Sequence, residues 1–292
     1  MEPDIIFEKR KAPVNMPPYN WRELGLMKNV AEENHKDFFE KEIYQILPIK
    51  YLVKILTKGT IRFMNIVKFW HDPYELFMLK QNISIDGIPF KDVHKERLQK
   101  YYGQCWSLTR DSDAMWRIYS YNFDGVRIKT TVGKMIKVLN QTRGMTVGPY
   151  FGKIKYLTKE EIFGWLESSL SEGSGQLESV FDDSLFIKRK EFEHENEMRF
   201  VLCLSELKTE VFNRLGETCD KVHDDFVDLE VDPFWFIDEI AFDPRLNAED
   251  FFDWKNMLST ISGNIPIVQS DLYEFQPISI ALKRSPMHIA LL

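Results

Sequence analysis

Cysteine, histidine, basic charge and long apolar runs are all scarce in this chain, and each scarcity removes a class of protein. There are three cysteines, Cys105, Cys203 and Cys219. They are odd in number, far apart and without metal-ligand spacing, which argues against a disulfide framework and for a reducing compartment. The six histidines (His35, His71, His94, His194, His223 and His288) add no ligand-like spacing, so no metal is expected. No stretch approaches the roughly 20 apolar residues that span a bilayer. The richest, residues 233–237, runs into Asp238 and Glu239. Residues 1–11 mix charges with apolar groups and hold no secretory core, so the expected setting is cytoplasmic, with no membrane partner. The glycosylation patterns at Asn82 and Asn140 then read as chance. The formal charge is −7. Such a surface is poorly suited to displacing counterions from phosphates, which disfavours a nucleic-acid partner. A local basic run, Lys188-Arg189-Lys190, is offset by Glu191, Glu193, Glu195 and Glu197.

Apolar and aromatic residues, by contrast, are plentiful at 44% and 14%. That suffices for a sizeable core and for some aromatics to line a pocket. Residues 1–42 read as a proline-bearing arm and a helix from Trp21 to Glu42, and residues 43–292 as a single α+β domain. Residues 43–47 have strand character, residues 49–57 form a helix stopped by Gly59, and residues 60–64 form a second strand. Asp72, Pro73 and Glu75 sit at the offsets of a helix capping box. Asp111, Ser112 and Asp113 precede a helix carrying Met115, Trp116 and Tyr119. Residues 171–176 are the most linker-like, but six residues make a loop more readily than a domain boundary. Residues 195–204 show the clearest strand alternation: Met198, Phe200, Leu202 and Leu204 on one face, Glu195, Glu197, Arg199, Val201 and Cys203 on the other, as in a half-buried strand. Helices and strands mix without regular βαβ order. The expected fold is therefore α+β, with a mixed, mainly antiparallel central sheet flanked by helices.

No general catalytic motif is present. Gly148, Gly152 and Lys153 come near a phosphate-binding loop, but the glycine spacing is one short and Ile154 stands where a hydroxyl should bind magnesium. The informative feature is Glu195 with Glu197. Two residues apart on a strand, both carboxylates and Arg199 share a face. Two adjacent acids push one pKa up, and the guanidinium pulls one down. A carboxylate about 4 Å from a cation gains on the order of 4 kcal/mol at an effective dielectric near 20. If felt only in the transition state, that is roughly a thousandfold in rate. The plain alternative is a solvated charged face. Asp72 and Glu75 could serve a site, although the capping box accounts for both. Ser107, beside Cys105, could hold a nucleophile but has no telling histidine. Trp116 and Tyr119, three apart on a helix, could stack on a planar ring or pack the core.

Taken in order, several segments resemble a known bacterial family: Ile43-Tyr44-Gln45, Leu56-Thr57-Lys58-Gly59, Ile61-Arg62-Phe63, Asp72-Pro73-Tyr74-Glu75, Cys105-Trp106-Ser107, Met115-Trp116-Arg117-Ile118-Tyr119, Gly125-Val126-Arg127-Ile128, and Lys190, Phe192, Glu195, Glu197 and Arg199. The family is catalogued as domain of unknown function 2971, and the match runs from about residue 43 to 245. Its order of elements resembles the ADP-ribosyltransferase fold. That resemblance implies NAD as substrate, Tyr44 and Gln45 on the first strand at the ribose, aromatics such as Trp116 and Tyr119 at the nicotinamide, and Glu197 stabilising the ribose cation with Glu195 as its accessory. Gln45 departs from the basic residue common after the strand tyrosine. The resemblance also implies a bacterial toxin or phage-defence effector, with a protein partner or antitoxin. Three readings follow: an NAD-using transferase or hydrolase, a non-catalytic sensor or interaction module, and a metal-dependent nuclease built on Asp72, Glu75, Glu195 and Glu197.

Overall fold

The computed structural model describes residues 27–30, 35–93, 95–140, 149–171, 177–204 and 222–282. Among them the strands are β1 (Met27–Lys28), β2 (Glu42–Pro48), β3 (Thr60–Asn65), β4 (Ser84–Ile85), β5 (Ile88–Pro89), β6 (Tyr101–Ser107), β7 (Gly125–Thr131), β8 (Tyr150–Lys153), β9 (Lys155–Leu157), β10 (Ile187–Arg189), β11 (Glu197–Cys203), β12 (Val222–His223), β13 (Phe226–Glu230), β14 (Glu239–Phe242) and β15 (Ile267–Gln269). Eleven form one sheet in the order β1-β8-β11-β6-β2-β7-β14-β15, with β3 joined to β6 and β13, and β13 to β12. Only β1–β8 and β14–β15 run parallel within it. This is the expected α+β architecture, a mixed and mainly antiparallel sheet flanked by helices. No helix among the described residues is long and apolar enough to cross a membrane.

The centre of the sheet is covered on both faces. Met198, Phe200 and Leu202 of β11 pack with Leu52 and Ile55 of the helix Ile49–Lys58 and with Met135 and Ile136 of the helix Val132–Leu139. Val201 and Cys203 face a second core with Ile162 and Leu166 of the helix Lys159–Ser171 and Val180 and Phe181 of the helix Leu177–Ser184. The two faces of β11 thus sort as alternation predicts, but the strand is buried throughout rather than half-buried. Period-2 patterning reports which side chains share a face; it does not report what lies above that face.

Three further expectations change. Met27 and Lys28 are not helical; they pair with Phe151 and Gly152. Among the described residues the predicted helix is present as His35–Glu40, and Glu42 opens β2. Residues 1–26, 31–34 and, of the linker-like stretch, residues 172–176 lie outside the described residues. The capping box at Asp72 is half made. Asp72 Oδ1 accepts from the Tyr74 amide at 3.1 Å, but a turn and the 3₁₀ segment Phe77–Lys80 follow, not an α-helix. Glu75 points away from the cap into a buried ion pair with Arg199. A buried guanidinium needs a compensating charge more than an exposed turn needs a capping carboxylate.

β6 positions the site. One edge pairs with β11 over its whole length. The other edge meets β2 only where Ser107 faces Tyr44, and β3 only at Gly103 and Tyr102. Between these points that edge carries no ladder pair among the described residues, because β2 and β3 diverge around the helix that joins them. A side chain fills the gap: Gln45 Nε2 donates to the Cys105 carbonyl at 2.9 Å, satisfying an acceptor the ladder leaves open.

Candidate active site

The seam between β2 and β6 opens into a cleft of about 670 Å³, the size of a small-molecule site. Residues 44–48 of β2 and 103–107 of β6 form its walls, with Thr60, Arg62 and Met64 of β3 and Tyr51, Lys54 and Lys58 of the helix Ile49–Lys58. Glu197 lies opposite Ser107 in the β11–β6 register, and Ser107 lies opposite Tyr44. The acidic residues therefore gather at the Ser107 end, where Glu75, Lys188, Glu195 and Glu197 also line the cleft.

These four residues and Arg199 form one buried cluster, each no more than 8% exposed. Arg199 Nε donates to Glu197 Oε1 at 2.6 Å, its Nη1 to the Leu185 carbonyl at 2.7 Å, and its Nη2 to Glu75. Lys188 Nζ donates to Glu195 Oε2 and, at 3.2 Å, to Glu197 Oε2. The Trp70 ring covers the guanidinium at 4.1 Å from its centroid. Gly103 allows this: a Cβ there would meet Trp70 Cζ2 and Ile66 Cγ2, each at 2.9 Å. Tyr156 OH accepts the Glu197 amide at 2.8 Å, and Tyr119 OH donates to Glu195 Oε1 at 3.5 Å.

The two acids are electrostatically distinct. Burial pushes the Glu197 carboxyl up, but Arg199 and Lys188 outweigh it and hold the group at about 2. Burial also pushes Glu195 up, and there it prevails over Lys188, so Glu195 stays above the ordinary carboxylate value. Glu197 is thus held ionised, while Glu195 is poised to exchange a proton. Burial, followed by Glu195, raises the Tyr119 phenol, and burial with Glu197 raises the Cys105 thiol, so neither offers an anion.

The sequence-derived candidates divide. Tyr44, Gln45, Glu75, Ser107, Tyr119, Glu195 and Glu197 line the cleft, with Arg199 packed behind them under Trp70. Contrary to expectation, Glu195 and Glu197 do not share one strand; Glu195 ends the 3₁₀ turn Lys190–Glu195, and the left-handed Asn196 (φ 42°) separates it from β11. Their convergence comes from Lys188 rather than from strand alternation. Ser107 Oγ donates to the Glu195 carbonyl at 2.7 Å and accepts from the Thr109 amide at 3.0 Å, so its hydroxyl fastens the turn that carries Glu195. Tyr44 OH donates to Glu42, and Gln45 is engaged by the seam. Trp116 is fully buried, with its Nε1 donating to Asp111 at 2.9 Å. It does not line the cleft, so no Trp116–Tyr119 stacking pair forms there. Asp72 pairs with Arg189 at 2.9 Å, also away from the cleft lining. Among the described residues no group of three or more His, Cys, Asp or Glu could hold a metal ion.

Sequence reasoning missed Lys188 and Trp70. A signal for Lys188 existed: it follows the apolar Phe186 and Ile187 and precedes an acid-rich turn, so it could be read as a strand lysine rather than as one of a solvated basic run. Trp70 had none, because its role depends on a glycine in a distant strand.

No curated protein matches this chain. Among solved structures, DarT from Thermus sp. 2.9 in complex with NAD+ is 12% identical, covering 79% of this chain and 96% of that one, at a TM-score of 0.34. The same protein in complex with ADP-ribosylated ssDNA is 14% identical, covering 79% and 93%, at a TM-score of 0.34. Scores this low fix no residue-by-residue correspondence. Within the chain itself, residues 115–200 match the family described as protein of unknown function DUF2971.

Proposed function

We propose that this chain is an NAD-using enzyme, either an ADP-ribosyltransferase or an NAD hydrolase, with Glu195 and Glu197 at the reacting centre. One observation carries the reading: three buried carboxylates, Glu75, Glu195 and Glu197, face two cations, Lys188 and Arg199, at one end of a ligand-sized cleft. The surplus of one negative charge in a low-dielectric site suits a substrate that develops positive charge there. Breaking the bond between nicotinamide and ribose does so, since nicotinamide leaves with the bonding pair and the sugar carbon becomes cationic. Glu197, held ionised, stabilises that carbon. Glu195 takes the proton of the attacking hydroxyl or water as the new bond to the sugar carbon forms.

Tyr44 and Tyr119 supply aromatic walls. Lys54 and Lys58 make the helix side of the cleft basic, while Arg62 there is paired with Asp228 at 2.7 Å; the two lysines are in keeping with the phosphates of a dinucleotide. Trp116 has no part in binding. The reading includes a bacterial cytoplasmic effector, a toxin or phage-defence protein restrained by a protein partner or antitoxin. The odd number and wide spacing of the three cysteines in the sequence and the family resemblance support that part.

The test is release of nicotinamide from labelled NAD. The wild type should release it. Glu197→Gln, assayed where circular dichroism shows it folded, should be slower by roughly a thousandfold. Wild-type protein that releases none, or release untouched by the substitution, ends the reading.

A further inference from the structure

Among the described residues β10 lies outside the main sheet and pairs only with β9, yet it sends one side chain into the acid cluster. Lys188 is 8% exposed. Its ammonium has three N–H donors and lies among three carboxylates: Glu195 Oε2, Glu197 Oε2 at 3.2 Å, and Glu75 Oε1 at 3.8 Å. The Phe192 ring covers it at 4.7 Å. Glu197 then has neither oxygen open, since Arg199 takes Oε1 at 2.6 Å and also reaches Oε2 at 3.3 Å. Glu195 has one oxygen bonded to Lys188, while among the described residues the other has only the 3.5 Å contact from Tyr119. The backbone under Glu195 is held separately by Ser107.

We propose that Lys188 is a positioning residue for the reaction proposed above, on which this inference rests: by gripping one oxygen each of Glu195 and Glu197 it presents Glu195 Oε1 to the cleft as the proton acceptor. One ammonium thereby gives two chemically identical side chains different tasks. It closes Glu197 as a fixed anion and leaves Glu195 half open. A lysine suits this task because an ammonium on a flexible stem can point donors at separate carboxylates, whereas a guanidinium presents its donors in one plane.

The charged and titratable groups facing Glu195 are Lys188 from β10, Glu197 and Arg199 from β11, Tyr119 from the helix Asp113–Tyr119 and Tyr156 from β9, with Glu75 reaching the same ammonium. Lys188 is the cation bonded to it. Removing Lys188 should therefore raise the Glu195 midpoint by about one to three pH units, the usual influence of one adjacent opposite charge.

The test compares wild type, Lys188→Met and Lys188→Arg with ¹³C-labelled glutamate carboxyls. In Lys188→Met the Glu195 midpoint should move up, the acid limb of the kcat profile for NAD cleavage should move up with it, and kcat should fall at least about tenfold with little change in KM. Lys188→Arg, which keeps the charge, should return the acid limb towards wild type. Unchanged carboxyl midpoints in Lys188→Met overturn the proposal whatever the enzyme does. A wild type that cleaves no NAD ends the NAD reading instead, and the carboxyl titration still decides Lys188. Should Lys188→Met not fold, the wild-type Lys188 ¹⁵Nζ resonance carries the test. It should be protected from exchange at neutral pH and shift in Glu195→Gln, and an ammonium exchanging as freely as a surface lysine overturns the assignment.

Discussion

Lowering the pH should dismantle the Glu197 ion network over a defined window. The carboxyl is brought from an ordinary 4.5 to about 2, against burial, by Arg199 and Lys188. A group whose folded pKa is depressed contributes stability above its unfolded value and loses it as pH falls towards the folded one. The difference of about 2.5 units, at about 1.4 kcal/mol per unit, corresponds to about 3 kcal/mol lost between pH 4.5 and pH 2. At 4% exposure Glu197 has little solvent to screen it. Glu195 acts in the opposite sense: its raised pKa favours the folded state in acid, and that contribution fades as pH rises through its folded value. Urea denaturation of wild type and Glu197→Gln across this range gives the measurement. The difference between the two curves cancels Asp113, Asp225 and Asp243, which are lowered by their own partners. Near neutral pH the variant should be less stable by about 3 kcal/mol, as expected when a buried pair loses one member. The gap should close as pH falls to 2. Parallel curves from pH 5 to pH 2 would show that Glu197 is not held ionised by its neighbours. Since Glu197 is structural as well as a candidate catalyst, a thermal melt of Glu197→Gln does not by itself separate an enzyme from an interaction module; nicotinamide release does.

Gly103→Ala should cost about 1–3 kcal/mol, read as a urea midpoint, because its Cβ meets Trp70 and Ile66 at 2.9 Å. Altered tryptophan emission should accompany it as the indole leaves Arg199, and an unmoved midpoint refutes the tight fit. Gln45→Leu leaves the Cys105 carbonyl unpaired at the seam and should destabilise by about 1–3 kcal/mol. A neutral result there means water replaces the amide. Ser107→Ala removes the bond that anchors the Glu195 turn and should cost about 1 kcal/mol while nicotinamide release persists; its abolition would restore Ser107 as a nucleophile. Asp111→Ala strips Arg127, 1% exposed, of a partner at 2.5 Å and Trp116 of its acceptor. A loss of at least about 3 kcal/mol is expected by calorimetry, and a smaller one shows that Glu239 and the Arg110 carbonyl suffice.

Much of the layout was legible because it rests on local patterning. The strands at residues 43–47 and 60–64 and the helix ended by Gly59 appear where apolar spacing and glycine place them, and β11 sorts its side chains by parity. The acids Glu195 and Glu197 were legible as a pair, although the geometry joining them was not. Where local rules failed, a long-range partner had overridden them. The capping box at Asp72 lost Glu75 to Arg199, 124 residues away, and Trp116 lost its expected place at the cleft to a buried bond with Asp111.

By itself, then, the amino-acid order determined the class of fold, most of its elements, and the presence of a carboxylate pair with an arginine, since all three follow from residue type and periodicity over short windows. Tertiary structure alone decided that this pair is buried, that a lysine from a separate small sheet bonds both of its members, and that a gap in strand pairing gives it a cleft. Those outcomes depend on the desolvation and pairing of charges brought together from distant segments, and no local pattern encodes such distances.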